Sequence, residues 1–536
     1  MKNLKPFQWV LLLIATTLTF SLVGQLPNSF SSDALTIQIV SSLERIGQTA
    51  SLRSSPLINL FAARGEYESF QVVVRAPRSG LTHVNVNVSN FYGSGSQIIP
   101  QANITLYREH YVQVQRASPS WGGMINRSLG VGWYADGLIP FLDPGAQKSS
   151  LESNFKAVPF DIQPQSNQPI WVDIFVPRNA QAGRYIGKVT VTSNQGKIET
   201  QVSLKVWNFS LPLKPSLRSS FDFWQVKTKQ ANEELLKHKL MPKQSQSKDQ
   251  SNLMKQGLTS ASLGYWSGAN NKTCTMRSAP SVETFRAKAA QYQSGLLRYN
   301  YTADEIDSCP SLYEPMKQWA KNLHQAGVNN LVTMTPTPIL YDDASGTGRS
   351  AVDIWVLLPK MYDEARDRVS QVLQKGDQVW SYNALVQDDY SPKWEIDFAP
   401  INFRIQPGFI SQSLKLTGIL YWRLDLWTKD PWHDVQTYQT NAQGQRRDYP
   451  GEGMLVYPGK PLGIEGIVPS MRLKWLRDGV EDYEYVEILK GLGRGDWALS
   501  EARRVGQDWQ HWTTDPQALE AVRQRLGEEI DRIAFS

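Results

Sequence analysis

Two neighbouring carboxylates, Asp304 and Glu305, end the apolar and aromatic run LLRYNYTA within the stretch YTADEIDS. Adjacent residues on a regular strand point to opposite faces, so both can serve one site only if the chain leaves strand geometry there. A strand end permits that. If the two charges meet at ~5 Å, an effective dielectric near 20 makes them repel by about 3 kcal/mol. That separates their proton affinities by roughly a hundredfold. One becomes a proton donor and the other an anion, the division of labour that glycoside hydrolysis uses.

Tryptophan supports the same chemistry. Six of the 18 Trp fall between Trp355 and Trp432, several at or beside expected strand ends, where their faces can stack on sugar C–H surfaces and exclude water. Trp355 and Trp394 read more naturally as core, and Trp380, Trp422 and Trp427 as walls of a sugar site. Other chemistries lack their residues. The six histidines never form a ligand-spaced pair, and Cys274 and Cys309 are the only cysteines, so no zinc site is expected. No G-x-S-x-G elbow offers a serine nucleophile. No glycine fingerprint cradles a phosphate, and no cofactor is expected.

The elements that must position the pair change character along the chain. From 33 to 215, runs such as SFQVVVRA, HVNVNVSNF and KVTVTS alternate apolar and polar residues, which predicts an antiparallel β-sandwich. The Pro- and Ser-rich LPLKPSLRSS then reads as a linker. From 219 to 490, short buried strands alternate with amphipathic helices. PSLYEPMKQWAKNLHQAG is one such helix, with Leu312, Met316, Trp319 and Leu323 on one face and Gly327 as its stop. This βα repetition predicts a (β/α)8 TIM-type barrel, whose active site gathers at the C-terminal ends of its strands. Thr335, Tyr382, Asn383 and Asp425 fall at such ends, where capping the next helix is the competing role. Residues 491–536 predict a C-terminal helical tail packed on the outside of the barrel.

Length, charge and address agree with an exported multidomain protein. A chain of 536 residues exceeds one ordinary core. Its net charge of +6 is spread along the chain, not gathered into a stripe, which argues against a nucleic-acid partner. Lys2 and Lys5 precede an apolar run from Phe7 to Val23, so residues 1–30 read as a signal peptide or an uncleaved membrane anchor. Cys274 and Cys309 could bridge, closing a loop that stabilises by about 3 to 4 kcal/mol, or stay as two buried thiols.

Five stretches resemble the catalytic domain of glycoside hydrolase family 123: YTADEIDS, VDIWVLLP, QVWSYNAL, GILYWRLDLWTKDPW and VPSMRLKWLRDGVEDYEYVEIL. LFAARGEYESFQVVVRAP and QPIWVDIFVPRNAQAGRYIGKVTV look like the β-sandwich that precedes it in related proteins. The resemblance implies a retaining β-N-acetylgalactosaminidase or related hexosaminidase, in which the substrate's acetamido oxygen attacks the anomeric carbon. Asp304 would then orient the acetamido group and Glu305 would act as acid and base, with Trp380, Tyr382, Tyr421, Trp422, Asp425 and Trp427 shaping the sugar site. The chain departs from the family pattern at Ile306, where proline is common, and at Asp425, where asparagine is. Two other readings remain: a glycosidase pairing Glu305 with Asp425 or Asp389 across a wider gap, and a non-catalytic carbohydrate-binding envelope protein on the same scaffold.

Overall fold

The computed structural model describes residues 35–51, 59–120, 126–142, 155–442 and 444–535. The apolar run Phe7 to Val23 lies outside them. No helix of the described residues is long and apolar enough to cross a membrane.

The alternating runs of the N-terminal half form two facing sheets. One runs in the order Thr36–Ser41, Tyr67–Arg75, Asn167–Phe175, Ile104–Val114, Gly132–Pro140, all antiparallel. The other centres on the hairpin Gly183–Ser193 and Gly196–Ser210, with Leu81–Val88 on one side and Asn59–Arg64 on the other, the last pairing in parallel. Inward-facing Val72, Val74, Val172, Val189 and Leu204 are fully buried between them. Period-two alternation over this length leaves no other way to cover the apolar faces.

The second half is a seven-stranded parallel sheet in the order Arg218–Phe221, Gly418–Tyr421, Gln378–Tyr382, Ile354–Leu357, Asn329–Thr333, Leu297–Asp304, Ser260–Ser262. Its two outer strands are bridged by 241–243. Phe221 N–H donates to Met241 O, Lys243 N–H to Phe221 O and Ser262 N–H to Lys243 O. Tyr299, Ile354, Val356, Trp380 and Leu420 fill the inside, and helices cover Trp355, Val379 and Ile419 outside.

This near-barrel differs from a regular (β/α)8 fold. Between Asn329–Thr333 and Ile354–Leu357 the chain makes only the 3-10 turn Pro338–Leu340, because Pro336 and Pro338 and the Gly- and Ser-rich stretch that follows cannot sustain a helix. The expected linker is also shorter. Ser219 and Ser220 belong to the first parallel strand, and their hydroxyls accept from Met241 N and Tyr299 OH.

The helix Met471–Gly491, which carries the RDGVEDYEY motif, is buried on nearly every side. Arg472 pairs with Asp136 and Arg477 with Asp173, both acids on sandwich strands, while Asp482 pairs with Arg404 of the barrel half. Gly479 lets this helix cross the helical segment at 404–407, where a Cβ would run into Arg404 O and the Pro407 ring. The tail does not simply coat the barrel. Its last helix, Pro516–Phe535, lies against the sandwich, where Gly527 meets the Trp207 ring, because Arg523 finds Glu66 and Glu68 there.

Candidate active site

The carboxylate pair sits where Leu297–Asp304 ends. The strand's register against Asn329–Thr333 slips between Tyr301 and Ala303, and Glu305 then takes φ +47° while its N–H donates to Thr333 O at 2.7 Å. A left-handed residue other than glycine costs on the order of 1–2 kcal/mol. The turn breaks pleat alternation at this point, so Asp304 and Glu305 line one cleft of about 680 Å³ at the C-terminal ends of the parallel strands.

Each carboxylate accepts from a phenol. Tyr382 OH donates to Glu305 Oε1 at 2.7 Å, and Tyr301 OH donates to Asp304 Oδ1 at 2.9 Å. Tyr301 has one hydroxyl proton, so its 2.7 Å contact with Thr333 Oγ1 is one that it accepts. Burial raises the proton affinity of Asp304 above the usual range for aspartate. The neighbouring Glu305 raises it further, while Tyr301, Thr333 and the Lys243 ammonium oppose the shift. Burial and the Glu305 charge push the Tyr382 phenol well up, so it stays a neutral donor. Lys243 lies 4.7 Å over the Tyr301 ring and pairs with Asp222 at 2.8 Å.

Aromatic side chains wall the cleft. Trp422 meets Trp224 and Tyr438 edge-on, and Trp266 meets Tyr301 in the same way. Trp224 and Trp266 stand at the rim, 54% and 42% exposed, and the Arg423 guanidinium covers one face of Trp224 at 4.7 Å from its ring centre. Glu452, fully buried, accepts from Trp422 Nε1 at 2.5 Å and Leu385 N at 2.9 Å, which fixes two lining residues at once. Tyr421 closes the floor beside Trp394.

The structure brings Asp304, Glu305, Tyr382, Tyr421 and Trp422 together, and places three other expected site residues elsewhere. Trp380 shares the inward face of its strand with Tyr382 but lies two residues deeper, packed on Tyr299 and Gly418. Asp425 is fully buried and spends its carboxylate on the N–H groups of Trp224, Gln225 and Val226. It therefore holds the loop that carries Trp224. Trp427 turns toward the sandwich and donates to Val456 O. Asp389 does not line the cleft either. Among the other strand ends, Asn383 bonds Pro392 O and Gln406, and the Thr335 N–H donates to Asp307.

Sequence reasoning missed Trp224, Lys243, Trp266, Tyr301, Tyr438 and Glu452. Trp224 and Lys243 follow segments read as linker or left unassigned. Tyr301 stood in the quoted run, two residues before Ala303 and with a polar tip, which was the available signal. Cys274 and Cys309 form a disulfide that ties the Trp266 loop to the turn after Glu305. Among the described residues, no group of three or more His, Cys, Asp or Glu is arranged to hold a metal.

Known proteins match this architecture. Residues 48–193 match the glycoside hydrolase 123 N-terminal domain, and residues 341–489 match the glycoside hydrolase 123 catalytic domain, a match that begins beyond Asp304 and Glu305. A family 123 glycoside hydrolase from Clostridium perfringens, described as hydrolysing glycolipid glycans, superposes over 94% of this chain and 99% of its own, with TM-score 0.63 and 14% identity. A β-glucuronidase from Parabacteroides merdae reaches only TM-score 0.25 at 9% identity, over 66% of this chain and 45% of its own. No curated protein matches. With its sandwich and its catalytic half both matched, the chain belongs to glycoside hydrolase family 123.

Proposed function

We propose that the cleft hydrolyses a β-linked N-acetylhexosamine, with N-acetylgalactosamine the first candidate, by a retaining, substrate-assisted mechanism. The observation that carries this is the left-handed turn at Glu305, which aims two consecutive carboxylates into one aromatic-walled cleft. Glu305, within the cleft and hydrogen-bonded to Tyr382, protonates the leaving oxygen and later takes a proton from water. Asp304 accepts from the acetamido N–H and stabilises the cationic ring formed when the acetamido oxygen attacks the anomeric carbon.

Burial and the Glu305 charge raise the proton affinity of Asp304. An acetamido N–H donated to Asp304 favours the anion that the mechanism asks of it.

The alternative partners have other occupations, since Asp425 is saturated by backbone donors and Asp389 lies off the cleft. The Cys274–Cys309 bridge also supports export to an oxidising compartment. Assays on aryl N-acetyl-β-hexosaminides and on a glycolipid glycan test the assignment. Glu305→Gln should fold normally and lose about 10²- to 10⁴-fold in kcat, and a thiazoline mimic of the cyclic intermediate should inhibit the native enzyme. Undiminished turnover by Glu305→Gln rules the assignment out.

A further inference from the structure

The cleft adjoins a second cavity of about 370 Å³, and the two share Asp222, Lys243, Gln244, Ser262 and Gly264 as a common wall. Their charges differ in sign. The cleft sets Asp222, Asp304, Glu305 and Glu452 against Lys243, whereas the annex sets Lys227, Lys229, Lys243 and Lys288 against Asp222 and Asp249.

Two of these lysines are already paired: Lys243 with Asp222 at 2.8 Å and Lys229 with Glu233 at 3.4 Å. The other two carry the excess. Lys227 and Lys288 make no ion pair among the described residues; the Lys288 ammonium rests 3.4 Å from Gln291 Oε1 and 5.6 Å from the Tyr292 ring centre. The helices Lys229–Lys237 and Ser247–Met254 also start at this cavity, and no side chain caps the second, so their positive ends add to the field. Asp249, in the first turn of the second helix, partly offsets it. A concave wall of one sign beside a cleft raises the local concentration of an oppositely charged ligand. A neutral glycan would leave that field unused.

We propose that the annex is an anion-binding subsite and that the substrate is an acidic glycan, carrying a sulfate ester or a carboxylate on a sugar next to the one released. This rests on the glycosidase reading of the cleft. Lys227 and Lys288 bind the anionic substituent, and Lys243 at the shared wall separates it from the catalytic pair.

The test compares an N-acetylgalactosamine-terminated disaccharide whose second sugar is neutral with the same disaccharide bearing a sulfate ester there, and with one bearing a uronic acid. The native enzyme should favour at least one acidic form by about tenfold in kcat/KM at low salt, and the preference should shrink at 0.5 M salt. Lys227→Glu/Lys288→Glu should raise KM for that form about tenfold or more and leave the neutral disaccharide within twofold. Which acidic form is favoured identifies the anion. Equal turnover of all three substrates, or an equal loss on all three in the double variant, overturns the proposal. Calorimetric titration of the same disaccharides into Glu305→Gln protein reads the subsite without turnover, so a chain inactive on every substrate would refute the glycosidase reading while the titration still decides the annex.

Discussion

At the scale of single residues, the site is defined by where the pleat stops. Asp304 holds its proton more tightly folded than unfolded, because burial and Glu305 both disfavour its anion. A carboxyl raised in this way costs stability as pH rises from the ordinary aspartate range through its folded value, since the folded state binds more protons over that window. Asp304→Asn removes the cost and keeps an acceptor for Tyr301. Its melting temperature should therefore match or exceed that of the native protein at pH 7 and lose that advantage at pH 3, while turnover of acetamido sugars falls; thermal scans at the two pH values check the sign. The carboxylate pair was legible in the sequence because adjacency and a strand end are local properties. Trp380 was misread because it and Tyr382 lie on the same inward face, and only their depth, ~6.6 Å apart at the rise of a strand, separates a core ring from a site residue. Asp425 was misread because the three N–H groups that occupy it come from a loop about 200 positions away.

At the scale of elements, loops rather than strands complete the site. The disulfide joins the loop bearing Trp266 to the segment four residues beyond Glu305, and the Asn271 side chain donates to Glu305 O at 3.3 Å across the same junction. Closing a loop with a sequence separation of 35 stabilises by about 3 to 4 kcal/mol in the chain-entropy model. Cys274→Ser/Cys309→Ser should lose stability on that order in urea denaturation, and its KM should rise as the Trp266 rim loosens; reductant should reproduce both effects in the native chain and neither in the variant. The parallel strands were readable from short apolar runs between amphipathic helices. The first one was not, because a strand written RSSF uses its serines as hydrogen-bond partners for neighbouring segments, and a serine-rich stretch after proline reads as linker.

At the scale of the whole molecule, the sandwich supports the cleft through one buried chain of contacts. Asp136 on a sandwich strand holds Arg472, Arg472 donates to Gly451 O, and the next residue, Glu452, holds Trp422. The Asp136 and Arg472 side chains are fully buried, and removing one partner of such a pair costs about 3–5 kcal/mol because the other charge is left unpaired. Arg472→Met should lower the unfolding free energy by that amount and weaken substrate binding, and Asp136→Asn added to it should restore part of the stability. Chemical denaturation of Arg472→Met, Asp136→Asn and the double variant decides the matter, and full additivity of the two substitutions would contradict the coupling. The helix carrying RDGVEDYEY welds the two halves of this chain together. Alternation and composition revealed each half, but a contact between residues 136 and 472 leaves no local pattern to read.

The most direct test is proton NMR of the sugar as it leaves the enzyme, with an aryl N-acetyl-β-galactosaminide as substrate. Two carboxylates acting on one acetamido sugar should release the β anomer first, with the α form growing in only by mutarotation. First release of the α anomer would contradict the account.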